Sequence, residues 1–135
     1  MPVERIASIF AAQPMMAHLG ISLGEVAPGR CALHLPLRAA LTQQNGFLHA
    51  GALTTLADTA CGFAAYTLMP EGANVLTAEF KLNLLRPADG DAVARAEVIR
   101  AGKLLSVARA DIFCAGPQGE RLCATMTATL VCQPS

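Results

Sequence analysis

The chain has 135 residues, of which ten are acidic and ten basic, and 53% are hydrophobic. A domain of that length buries roughly two-thirds of its unfolded surface, so a single core without disulfide or metal staples is expected. The charge balances and no basic cluster appears, which argues against nucleic acid as a partner.

Val3 to Ala12 reads as a short helix, with Ile6, Ile9 and Phe10 on one face. Gln13 and Pro14 interrupt it, and with Glu4 and Arg5 the stretch lacks the long apolar core of a signal peptide. Ile21 to Val26 and Arg30 to Leu37 read as strands joined across Pro28 and Gly29, a hairpin. Cys31, Cys61, Cys114, Cys123 and Cys132 include no CxxC pair, which predicts buried reduced thiols of a cytoplasmic protein rather than disulfides or zinc ligands.

A polar loop, Thr42 to Leu48, leads into an almost wholly apolar helical segment, Ala50 to Leu68, which stops near Pro70 and Gly72. Between Arg38 and Glu71 the one charged side chain is Asp58. A carboxylate at mid-bilayer costs about 2.5 to 3.5 kcal/mol on insertion scales, so a helix wrapped on all sides by protein is expected rather than a membrane span. Burying that carboxylate in a dry site is costly, and enzymes use such a cost to place a base or nucleophile.

After Gly72 the sequence alternates. Val75 to Leu85 places Thr77, Glu79, Lys81 and Asn83 on one predicted face and Ala78, Phe80, Leu82 and Leu84 on the other. Ala92 to Arg100, Leu104 to Cys114 and Leu122 to Cys132 follow across short turns, which predicts antiparallel neighbours. The expected class is α+β: one long central helix against a meandering antiparallel sheet of five or six strands, all in one domain.

Asn45, Gly46, His49, Ala50, Gly51 and Leu56-Ala57-Asp58-Thr59-Ala60 resemble the hotdog-fold acyl-CoA thioesterases of the phenylacetate-pathway (PaaI-like) type. His18-Leu19-Gly20-Ile21, Leu85-Arg86-Pro87-Ala88 and Gly102-Lys103 match the same family, so the resemblance covers nearly the whole chain. Ala50 stands where the family usually has glycine. The resemblance implies a central "sausage" helix and a homodimer joined edge to edge, often a dimer of dimers. It also implies hydrolysis of an acyl-CoA without a metal or cofactor, and a hydroxyl at Thr77 that positions water.

A helix start exposes unpaired N–H groups, so the amides of Ala50 and Gly51 are the expected oxyanion hole. Asp58, eight residues on, lies about 12 Å further along the axis. The two cannot reach one thioester carbon from one helix, so two antiparallel helices about a two-fold axis would share composite sites. Asp58 would act as nucleophile or as general base. Gln43, Asn45 and His49 are the polar side chains at the helix entrance, and Arg86, Arg100 and Lys103 are candidates for the phosphates of coenzyme A.

Plainer roles compete. Asp58 could be a structural carboxylate, His49 a loop anchor, Cys61 a packed thiol, and Met15, Met16 and Met69 core fillers rather than acyl-pocket walls. His18 and His34 lack partners at metal-ligand spacing. At the level of function the alternative is a hotdog module that binds acyl-CoA without cleaving it. A hydratase on the same fold ranks last, since His49 has no acidic neighbour at the helix start.

Overall fold

Small side chains let the central helix lie close on its sheet. The computed structural model, which describes residues 1–134, contains three α-helices and six strands: α1 Glu4–Ala11, α2 Pro14–Leu19, β1 Ser22–Ala27, β2 Arg30–Leu35, α3 Ala50–Tyr66, β3 Asn74–Leu84, β4 Ala92–Ala101, β5 Leu105–Cys114 and β6 Arg121–Gln133. The inner face of the sheet carries buried Ala94, Ala96, Ala108, Ala110, Ala124 and Ala128. The buried side of α3 carries Ala57, Ala60 and Ala64 in the same core. Leucines 33, 53, 56 and 130 fill the space at the margins of this alanine contact.

The strands form one sheet in the order β1-β2-β4-β5-β6-β3, and every pairing is antiparallel. The hairpin is as expected, with Gly29 at φ +76° supplying the turn conformation that other residues resist. The meander holds for β4, β5 and β6. It fails for β3, which skips to the far edge and pairs with β6 alone. The segment 85–91 is short, yet its eight steps reach about 26 Å, enough to cross the roughly 14 Å between strands three places apart. Leu85 and Arg86 N–H groups both donate to Cys123 O at 2.8 and 3.2 Å, which fixes the start of that crossing.

Three further expectations are corrected. Pro14 opens a second helix rather than only ending the first, because proline suits the first turn, where its missing N–H has no partner to lose. β2 stops at Leu35, since Pro36 has no N–H for the ladder. Nor is α3 wrapped on all sides: Gly51 is exposed and Thr54, Thr55, Asp58, Thr59 and Gly62 are half-buried, a stripe at helical spacing that this chain leaves open. No helix among the described residues is long and apolar enough to cross a membrane.

Both ends of α3 are anchored. At its C-terminus the Thr67 hydroxyl donates to Ala64 O at 2.7 Å and accepts from the Gly29 N–H at 2.8 Å, tying helix to hairpin. At its entrance His49 N–H donates to Leu41 O and Leu48 N–H to Ala88 O, each at 2.9 Å.

All five cysteines are free and buried. Burial pushes the thiols of Cys31, Cys61 and Cys114 up to about 12. A raised thiol pKa leaves the neutral form in place, so at pH 8 these three thiols are almost wholly protonated. A chromogenic disulfide reagent at pH 8 should therefore leave Cys31, Cys61 and Cys114 of the folded protein unlabelled within minutes and label all five cysteines after denaturation. Prompt labelling of Cys61 would contradict this.

Candidate active site

The start of α3 presents one free amide. His49 is the N-cap, with φ −63° and ψ 141°, and its Nδ1 accepts from the Gly51 N–H at 2.8 Å. That bond corrects the expectation of two oxyanion donors: the amide of Gly51 is satisfied by its own cap. No hydrogen bond within the described chain uses the Ala50 N–H, which remains at the positive end of the helix dipole. With Nδ1 accepting, His49 carries its proton on Nε2, a further donor.

This entrance opens on a cavity of about 540 Å³, with Gln43, His49 and Ala50 on one side and Leu84, Leu85 and Arg86 on the other. Gln43 Oε1 accepts from the Asn45 N–H at 2.5 Å and the Phe47 N–H at 3.4 Å, so the carboxamide braces the loop by its oxygen and keeps its NH₂ for another partner. Asn45 is exposed at the loop tip and does not line the cavity. Gly46, at φ +83°, turns the chain there.

Asp58 lies two turns further along α3. Its Oδ1 accepts a hydrogen bond from Thr77 Oγ1 at 2.7 Å. A β-bulge makes that contact possible. Pairing runs Thr77 to Leu130 and then Glu79 to Thr129, leaving Ala78 without a partner. The extra residue shifts the alternation, so Thr77 joins Val75, Phe80, Leu82 and Leu84 on the helix side while Glu79, Lys81 and Asn83 stay outside. Strict alternation had put Thr77 with those three. The bulge, invisible to periodicity, turns its hydroxyl to the acid.

The carboxyl of Asp58 is half-buried rather than enclosed, because it sits in the open stripe of α3. It borders a separate cavity of about 130 Å³. Gln13 also lines that cavity and was missed as a mere helix break; a polar side chain held at the corner between two short helices was the available signal.

Arg86, Arg100 and Lys103, like Arg38 and Lys81, have no carboxylate partner among the described residues, whereas Arg5, Arg30, Arg95, Arg109 and Arg121 all do. The first three are not together in one chain. Arg86 follows the end of β3 beside the helix entrance, while Arg100 and Lys103 lie where β4 turns into β5. Leu105 pairs with Val131 and Val131 with Leu76, which places that turn by the start of β3, about 25 Å from Arg86. His18 and His34 are exposed, and no metal-ligating cluster exists among the described residues. Met16 and Met69 are core residues and Met15 is half exposed, so none lines either cavity.

A long central helix held against a six-stranded antiparallel sheet is the hotdog architecture. The thioesterase superfamily model matches residues 45–121, and the chain belongs to that family. A thioesterase family protein of Silicibacter pomeroyi has the same fold at a TM-score of 0.95, with 47% identity over 98% of both chains. A variant of the phenylacetic acid degradation protein PaaI from Thermus thermophilus gives a TM-score of 0.78 and 26% identity, covering 88% of this chain and 98% of that one. A proofreading thioesterase, EntH, of Klebsiella pneumoniae is 34% identical over 73 residues, 54% of this chain and 53% of that protein.

Replacing the His49 cap tests the entrance geometry. His49→Ala leaves the exposed Gly51 N–H to water and should cost up to about 1 kcal/mol of unfolding free energy. Denaturant unfolding that leaves the midpoint unchanged would show that the cap bond contributes nothing.

Proposed function

We propose that the protein hydrolyses acyl-CoA thioesters as a homodimer, with each site drawn from two subunits. The observation that carries this reading is the placement of the free Ala50 amide and the Thr77-bonded Asp58 about 12 Å apart on one rigid helix. One chain cannot bring both to one carbon. An antiparallel pair of α3 helices related by a two-fold axis near Thr54, midway between them, sets each Asp58 opposite the partner copy's helix entrance.

The edge strand supports the same axis. β3 pairs on one side only, and Leu76, Phe80, Leu84 and Leu85 are each about half exposed. A long, apolar, unpaired edge invites another strand. Level with Thr54 the middle of β3 is near Phe80, so the axis that joins the helices also sets the two edges antiparallel. That pairing brings the Arg100 and Lys103 end of one copy to the Arg86 end of the other. Three unpaired cations then surround the route by which the phosphates of coenzyme A reach the helix entrance.

In this site the Ala50 N–H donates to the thioester oxygen as it gains charge, and the Gln43 NH₂ and His49 Nε2–H are donors beside it. Thr77 holds one oxygen of Asp58, leaving the other to attack the carbonyl carbon or to take a proton from an attacking water. In the covalent route a mixed anhydride forms as the coenzyme A thiolate leaves, and water then opens it to the free acid and restores Asp58. With that opening the slower step, rapid quench shows coenzyme A released in a burst ahead of the acid. The direct route releases both together.

Two variants isolate the two halves. Asp58→Asn should lower kcat at least about a thousandfold with unfolding unchanged. Ala50→Pro removes the one N–H at a position that suits proline, since the first helical residue tolerates it and His49 already has the extended backbone that precedes proline. Its kcat should fall by about a hundred- to a thousandfold. Co-expressed at equal levels the two inactive subunits should recover about one quarter of the wild-type rate, because half the dimers then hold one intact site of two. No recovery with subunit exchange proven by mass would rule out shared sites.

A further inference from the structure

We infer that the cavity beside Asp58 seats the acyl group, and that Gly62 and Gln13 set its depth and its polarity; this rests on the acyl-CoA reading above. The cavity measures about 130 Å³. A space of this size holds a short acyl group of about six carbons rather than a long chain. Gln13, Asp58, Thr59 and Thr77 make most of its wall polar, and Phe63, buried, with half-buried Val75 supplies the smaller apolar part.

Gly62 is one helical turn beyond Asp58 and lines the same space. Glycine is a poor choice inside a helix, and packing within the chain does not call for it: a Cβ built there meets no atom within 4 Å. Alanine would suit the helix better. What the missing side chain provides is room next to the reacting carboxylate.

Gln13 borders the cavity from the corner between α1 and α2. Its backbone is occupied in holding that corner, the N–H donating to Phe10 O and the carbonyl accepting from Met16 N. Its carboxamide has no hydrogen-bond partner among the described residues, although the side chain is half-buried. A half-covered amide of this kind keeps two donors and an acceptor for a ligand. The acyl class that fits is compact, with a short apolar stem against Phe63 and Val75 and a hydroxyl or carbonyl at the far end.

The test is calorimetric titration with S-hexyl-CoA, a thioether that cannot be hydrolysed, with its 6-hydroxyhexyl counterpart, and with free coenzyme A. The wild type should bind S-hexyl-CoA at least about tenfold more tightly than coenzyme A. Gly62→Ala should reduce that advantage and Gly62→Val abolish it. Gln13→Leu should erase an advantage of up to about tenfold for the hydroxylated ligand over the plain one while keeping the hexyl gain. Unchanged ratios in Gly62→Val overturn the inference, as does an equal loss for coenzyme A and S-hexyl-CoA with an altered oligomeric mass, which would make Gly62 a packing residue. A protein that shows these ratios yet hydrolyses no acyl-CoA keeps the pocket and loses the hydrolase reading.

Discussion

An α-helix does not bend to suit its chemistry. The 17 residues of α3 are held at both ends, by Thr67 against the Gly29 turn and by His49 and Leu48 against Leu41 and Ala88. Its alanine side leaves no slack against the sheet. The free amide of Ala50 and the carboxyl of Asp58 are therefore two fixed points on a rigid rod. The proposed shared site follows from that separation, since the two points of one chain are too far apart to meet at one atom.

The open stripe on α3 has the same origin. A helix enclosed by its own chain would bury the Asp58 carboxylate with the Thr77 hydroxyl and no cation beside it, at a cost of several kcal/mol. Here the stripe is lined by threonine hydroxyls and glycine rather than by leucine. Thr54 and Thr55 satisfy themselves on the carbonyls of Ala50 and Gly51 at 2.7 and 3.1 Å. Such a surface tolerates water in the single chain and a neighbouring helix in an assembly. The half-buried carboxyl, bonded to Thr77, belongs to that arrangement rather than to a sealed core.

Small departures from regular structure shape the candidate site. The Ala78 bulge costs the sheet one pairing and turns Thr77 toward Asp58. Proline at position 14 starts α2 and so fixes the corner that holds Gln13 at the second cavity. The crossing of 85–88 over the end of the sheet, pinned to Cys123 and Leu48, makes one wall of the helix entrance. Each is a local event that places a side chain or an amide where a regular element would not.

Local physics was legible in the sequence. The long apolar helix with its lone acid, the Pro28-Gly29 hairpin, the four later strands and the polar loop before α3 all depend on periodicities and turn residues that act over a few positions. The motif from Asn45 to Ala60 pointed to the family on the same footing. Where β3 sits, which way Thr77 faces, that Gly51 is capped while Ala50 is free, and that Asn45 stands outside the entrance while Gln43 lines it were decided only by the tertiary structure. Strand order turns on pairing between residues some fifty positions apart, such as Phe80 with Ala128. A single unpaired residue reverses a face, and a cap depends on one side-chain rotamer. None of these leaves a periodic trace, because each is settled by what the chain packs against rather than by its neighbours in sequence.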